Sequence, residues 1–197
     1  MKATSTILVL GLALGLAACA QAPKTEVDEA KHAIEQAQQA QAADYAPEAW
    51  NAAKDAEAKL DAEIAAQEQK FALTRSYKQS KELATLAKDQ ANKAAQQAVA
   101  GRDQAKADAE ALVSQAREES KKAAAALEAA PRGKGTEADL ASLKSDNAGI
   151  DSMIEEAQRM IDSGDYLGAK TKAQAAIDAS RDIVKEIEAA KAQRRAA

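Results

Sequence analysis

An all-α fold is expected, an elongated antiparallel helical bundle or coiled coil built around one very long central helix. Three observations lead there. Alanine supplies about a quarter of the 197 residues, with Glu, Lys and Gln abundant but only 8 Gly and 3 Pro to interrupt a helix. Small apolar residues recur at alternating steps of three and four over long stretches, which places them on one helical face. No stretch alternates apolar and polar residues with the period of two that a half-buried strand needs. Burying an alanine removes about one methyl from water, worth under ~1 kcal/mol. Such seams therefore gain little from burial, and the compensation is that alanine is the best helix former. Strong helicity with modest tertiary stability is the expectation.

The first segment, residues 1–18, differs from the rest. Lys2 gives it a positive start, and residues 7–16 (ILVLGLALGL) form an unbroken apolar run. That run is too short to cross a bilayer, which takes roughly 20 residues, and it matches the core of a signal peptide. It ends in Leu16-Ala17-Ala18-Cys19. This ending resembles the lipobox of bacterial lipoprotein signal peptides. The resemblance implies cleavage between Ala18 and Cys19, a diacylglyceryl group on the Cys19 thiol and often a further acyl chain on the new amine. Two or three chains would hold the protein firmly where one acyl chain holds only marginally. Cys19 is the only cysteine, so no disulfide forms within one chain. Ala20 rather than Asp follows it, which by the sorting rule of enteric lipoproteins implies the outer membrane, facing the periplasm. The other reading of the segment is an ordinary secretory leader or short anchor with an incidental cysteine.

Residues 19–26 read as a lipidated tether containing Pro23, with Thr25 as helix N-cap. A helix over 27–43 follows, with Val27, Ala30, Ile34 and Ala37 on one face. Asp44-Tyr45-Ala46-Pro47 interrupts it, because proline disfavours helix in the residue before it yet suits a first helical turn. The next helix, 47–70, carries Trp50, Ala53, Leu60, Ile64 and Phe71 on its apolar face, and a turn is expected over 71–76.

The longest helix is expected over 75–129, roughly 80 Å at 1.5 Å per residue. Its seam reads Ser80, Ala84, Ala87, Ala91, Ala94, Ala98, Gly101 and Ala105, then Ala109, Leu112, Ala116, Ser120, Ala123 and Leu127. Successive steps of four in the second part mark a stutter, which locally unwinds a supercoil. Gly101 is either a hinge or a place of close packing. Pro131, Gly133 and Gly135 close this region in a turn at 131–136, whose Arg132 and Lys134 form a basic tip. That tip is either a solvated turn or a contact for an anionic envelope polymer.

Residues 137–197 form a C-terminal helical hairpin, with Thr136 as its cap. Its first helix carries Leu140, Leu143, Asn147, Ile150, Ile154, Ala157 and Ile161. Its second carries Tyr166, Ala169, Ala173, Ala176, Ser180, Ile183, Ile187 and Ala190, with Ser163-Gly164-Asp165 as the tight turn between them. Asn147 either fixes register as a polar seam residue or faces water. Arg194 and Arg195 suit a helix C-terminus. The exposed faces carry pairs such as Asp55/Lys59 and Glu118/Lys122, each worth tenths of a kcal/mol. Aligning Tyr77 with Tyr166 brings Lys81, Ala84, Ala87 and Asp89 onto Lys170, Ala173, Ala176 and Asp178, a faint internal repeat.

Residues 37–95 resemble a family of bacterial lipoproteins whose domain has no assigned function. The resemblance rests on Tyr45-Ala46-Pro47-Glu48 followed by alanine-spaced helices, and on the turn Gly164-Asp165-Tyr166 with Ala169. The corresponding first turn departs from it, reading Arg75-Ser76-Tyr77. The Gly-Asp-Tyr turn is also similar to those of tetratricopeptide hairpins. No catalytic or binding residue comes with either resemblance.

The residues offer little for catalysis. His32 is the sole histidine and stands in one Glu29-Ala30-Lys31-His32 motif. A di-iron bundle needs two such motifs and two further glutamates, and a Ser-His-Asp site needs a base histidine in place. His32 therefore reads as a surface residue, and no catalytic residue, cofactor or metal is expected. A net charge of −4 lacks the basic footprint of a nucleic-acid binder. Trp50 is either a partner anchor or, sharing a face with Leu60 and Ile64, a core residue. The combined expectation is a non-enzymatic envelope lipoprotein, a structural or adaptor protein projecting into the periplasm. Its partners would be membrane lipid through acylated Cys19, and an envelope protein or a second copy of itself. The alternative is a binding module for a peptide, glycan or lipid, for which an apolar groove lined by Trp50, Phe71 and Tyr77 would be the sign.

Overall fold

The computed structural model describes residues 21–131 and 137–196, and they form an all-α bundle in which α4 (Lys78–Glu128) touches every other helix. Before it come α1 (Lys24–Gln39), α2 (Ala42–Tyr45) and α3 (Pro47–Glu68); after it come α5 (Glu137–Ser163) and α6 (Tyr166–Ala196). Helix α4 has 51 residues, roughly 76 Å at 1.5 Å per residue, so no neighbour spans it. Helices α1 and α3 line its first half, and α5 and α6 its second. Two three-helix bundles therefore stand in series and share one helix. The expected basic tip, with Arg132, Lys134 and the cap Thr136, lies outside the described residues, as does the side chain of Arg195.

The inter-helix contacts give the directions. Lys81 pairs with Glu26 and Lys88 with Glu29, so α1 runs parallel to α4. Arg117 bonds Gln158 and Ser120 bonds Asp151, so α5 runs antiparallel to it. Lys170 pairs with Asp108 at 2.6 Å and Arg181 with Glu119 at 3.9 Å, so α6 runs parallel to α4. The faint repeat has a structural counterpart. Tyr77 and Tyr166 are both buried where their helices start, and Lys81 and Lys170 each reach a carboxylate on the first helix of their own bundle.

The α4 seam is as expected over most of its length, with Ser80, Ala84, Ala87, Ala91, Ala94, Ala98 and Ala105 buried. The stutter is also present, but steps of four run from Gly101 through Ala105 and Ala109 to Val113. Val113 is therefore the buried residue and Leu112 only packs at its edge. In α5, Asn147 lies within the buried seam. In α6 every expected seam residue to Ile187 is buried, whereas Ala190 is exposed. On the surface Lys122 pairs with Glu119 rather than Glu118.

The chain breaks earlier after α1 than proline alone dictates. Helix α1 starts at Lys24 behind Pro23, so Thr25 is inside it rather than capping it, and it ends at Gln39. Gln41 then takes a left-handed conformation with φ 59°, and residues 42–45 form the separate short helix α2. A left-handed non-glycine residue costs about 1–2 kcal/mol. What offsets it is the placement of Tyr45, which packs against the cores of both bundles. Burial pushes the Tyr45 phenol above its ordinary range; Arg102 opposes the rise, while Asp165, Asp44 and Tyr166 add to it. Its backbone lies so close to α4 that a Cβ on Gly101 would overlap the Tyr45 carbonyl oxygen. Gly101 is thus a point of close packing.

The α5–α6 turn has a complete local explanation. Gly164 adopts φ +88°, its N–H donates to Ile161 O, and the Asp165 N–H donates to Met160 O at 2.8 Å. These two bonds are the Schellman pattern that satisfies the last carbonyls of a helix. Asp165 then caps α6, its carboxylate accepting from the Gly168 N–H at 2.9 Å.

Two glycines in helices should respond to the same change with opposite sign. Gly101→Ala meets the Tyr45 backbone and should destabilise by about 1–3 kcal/mol despite the gain in helix propensity. Gly149→Ala, with open space around its Cβ, should stabilise by up to about 1 kcal/mol. Urea melts of both variants check the pair.

Candidate functional site

Among the described residues, the side chains that the sequence singles out lie apart from one another. Trp50 stands in the first turn of α3, half-buried against the alanine-rich core that α1, α2, α3 and α4 share, with the Lys54 ammonium 5.7 Å from its ring centre. Phe71 follows the far end of the same helix, roughly 30 Å away, and is 71% exposed. Tyr77 is buried. The expected groove of Trp50, Phe71 and Tyr77 does not form, because α3 separates Trp50 from the other two, and of those Phe71 is exposed while Tyr77 is buried. Phe71 is not on the α3 apolar face at all: the helix stops at Glu68 and the residue opens a 3-10 turn over Ala72–Thr74. Ile64 lies at the edge of the seam, beside Leu60 and Leu83.

His32 is on the outer face of α1, with Gln36 Nε2 at 3.3 Å and Glu35 at 3.9 Å. Among the described residues no cluster of three His, Cys, Asp or Glu residues is arranged to hold a metal ion, and no helix is long and apolar enough to cross a membrane. The expected cleavage site Ala18/Cys19 and the expected lipidation site Cys19 lie outside the described residues.

The ends of the rod carry its most distinctive surfaces. At one end the described chain enters, and a cleft of about 900 Å³ is lined by Gln21, Pro23, Lys24, Arg75, Tyr77 and Lys81. The Pro23 carbonyl accepts from the Val27 N–H at 3.0 Å, and the helix begins five positions after Cys19 in the sequence. The α3–α4 loop closes the same end. Arg75 donates from Nε to Lys70 O at 3.0 Å and from Nη2 to Glu68 O at 2.8 Å, satisfying the carbonyls that the end of α3 leaves open. The Ser76 N–H donates to Gln67 Oε1, and Thr74 Oγ1 donates to Phe71 O. This scaffold holds Phe71 and Leu73 outward, 71% and 69% exposed. Sequence reasoning missed Leu73. The available signal was two large apolar residues, Phe71 and Leu73, between helices, with Thr74 and Ser76 directly after them.

At the opposite end an apolar cleft of about 380 Å³ opens between α5 and α6, lined by Pro131, Leu140, Leu143, Ile187 and Ala190. Charged side chains of Asp139, Glu186 and Arg194 border it. Compared with protein-family models, with curated proteins and with solved structures, the chain matches none.

Ion pairs join the helices along the rod and make its stability depend on acid. The Lys170 ammonium, with help from Gln104, holds the Asp108 carboxyl below its ordinary 3.8, and Lys81 holds Glu26 below 4.5. Both folded values are depressed, so the stabilisation is present above the unfolded values and is lost as pH falls through the folded ones. Melting temperature should therefore drop below about pH 4. The double variant Glu26→Gln/Asp108→Asn should show a shallower acid limb than the parent in thermal melts from pH 7 to pH 2.

Proposed function

We propose that this chain is a cell-envelope lipoprotein without enzymatic activity, a structural or adaptor rod tethered by lipid on Cys19 and projecting into the periplasm. The observation that carries the reading is the lipobox-like Leu16-Ala17-Ala18-Cys19 placed immediately before a rigid body. Helix α1 starts at Lys24, so lipid on Cys19 would hold the end of the rod and leave roughly 75 Å of α4 extending from it. The alanine seam supports the same reading, since Ala84, Ala87, Ala91, Ala94 and Ala98 are fully buried where α4 meets α1 and α3. Ala20 after the cysteine favours the outer membrane, and the Tyr45-Ala46-Pro47-Glu48 resemblance favours a lipoprotein family. The protein partner would be another envelope component or a second copy of the chain.

One observation favours a second reading, a binding module: the apolar cleft of Leu140, Leu143 and Ile187 at the far end. The two readings are compatible, because an adaptor needs a contact away from its anchor.

Metabolic labelling with a clickable palmitate tests the anchor. Wild-type protein should carry label in the outer-membrane fraction, and Cys19→Ala should lose it and leave that fraction. An unlabelled, soluble wild type would overturn the lipoprotein reading.

A further inference from the structure

We propose that the α3–α4 loop is a second membrane contact, in which Phe71 and Leu73 sit in the surface of the same lipid layer that holds Cys19. The inference rests on the lipoprotein reading and deepens it. Four observations converge on this end of the rod. First, Phe71 and Leu73 are the two most exposed large apolar side chains among the described residues, two positions apart on one short loop. The others, Leu86, Val99 and Leu167, are dispersed along three different stretches, and singly scattered apolar residues are ordinary.

Second, the loop and the incoming chain share one cleft, where Gln21 and Pro23 meet Glu68, Arg75 and Tyr77. Cys19 precedes Gln21 by two residues, a reach of about 7 Å. Acylated there, it cannot stand far from the lipid, and neither can the loop. Third, the charge at this end is opposite in sign to that of the whole chain. Lys24, Lys70, Arg75 and Lys78 stand at this end against Glu63, Glu68 and Glu82, while Lys81 and Glu26 neutralise each other, which leaves a small positive excess in a protein of net charge −4. Cations beside exposed apolar side chains match an anionic phospholipid surface, where each gains by proximity to the headgroups. Fourth, three of the loop's carbonyl groups are already engaged: those of Glu68 and Lys70 by Arg75, and that of Phe71 by Thr74. Those three can approach lipid without losing their partners, which lowers the cost of seating the loop at the headgroups.

A single lipid tether leaves the rod free to lie on its flank. A second contact at the tethered end holds that end down, so that α4 stands away from the membrane. The occupant of the Phe71/Leu73 surface is phospholipid, and a soluble protein partner there would leave those side chains outside the bilayer.

The test uses the full-length acylated protein in vesicles of phosphatidylethanolamine and phosphatidylglycerol with brominated chains. Phe71→Trp is placed in a Trp50→Phe background, and Val99→Trp in the same background is the control. The tryptophan at position 71 should be quenched and blue-shifted, and the one at 99 should be neither. Palmitate on Cys19 is read in the same samples. Label present with position 71 unquenched overturns this inference alone; label absent overturns the lipoprotein reading together with it. Hydrogen exchange on the wild type avoids dependence on the variants. Amides of residues 69–77 should exchange more slowly on vesicles than in the unacylated Cys19→Ser chain in buffer, and equal rates would overturn the contact.

Discussion

From Ser80 to Ala109 the buried face of α4 carries nothing larger than alanine or serine, and α1, α2 and α3 all pack against it. Small side chains permit close approach of the helix axes, and close approach is also what makes the packing unforgiving. Gly101 is the extreme case, where even a methyl group would collide with the Tyr45 backbone. The left-handed Gln41, the separate helix α2 and the turn of the chain into Pro47 all follow from bringing Tyr45 over that glycine. Tyr45 then touches both cores, and the α5–α6 turn with Asp165 and Tyr166 meets it from the other bundle. The junction of the two bundles is thus built on one residue without a side chain.

The two bundles use different physics. The second encloses Ile150, Ile154, Ile161, Ile177, Ile183 and Ile187 with Val113 and Leu127. Each such side chain gains about 1.5–3 kcal/mol on full burial. The first is almost wholly alanine, with Ile34 and Leu60 as its large members. Burial gives it under ~1 kcal/mol per seam residue, so it depends on helix propensity and on continuity with α4. A helix running through both lets the isoleucine-rich half restrain the alanine-rich half, because α4 must be helical throughout for the second core to form.

Much of this was legible in the sequence. The steps of three and four along α4, the Gly164-Asp165-Tyr166 turn and the role of Pro47 each depend on a few neighbouring residues, and local patterns report them. What was not legible depends on distant partners. Nothing in Ala40-Gln41-Ala42 marks a left-handed residue; the cause is Tyr45 meeting Gly101, sixty positions away in the chain from Gln41. Leu112 and Val113 are equally apolar, and only the position of α5 and α6 selects the valine. Phe71 continues the spacing of Leu60 and Ile64, and the periodicity cannot show that α3 ends before it. For the candidate site the lipobox-like segment was readable, whereas the exposure of Leu73 beside the chain entry needed the fold.

A rod of this kind separates its chemistry toward its ends. Along the middle the seams are closed and the outer faces carry charges such as Lys88 and Glu29, where the carboxylate raises the lysine further above its ordinary value. Those contacts bind helix to helix. The end where the chain enters combines apolar side chains, cations and proximity to Cys19; the other has an apolar cleft between α5 and α6. The stiffness of α4 turns these two surfaces into a pair at a defined separation. A shorter helix, or a hinge at Gly101, would lose that separation, and the packing of Tyr45 on Gly101 works against such a hinge. The alanine seam is weak as a hydrophobic core, yet it suits a spacer, because it favours an unbroken helix over a chamber and length over volume.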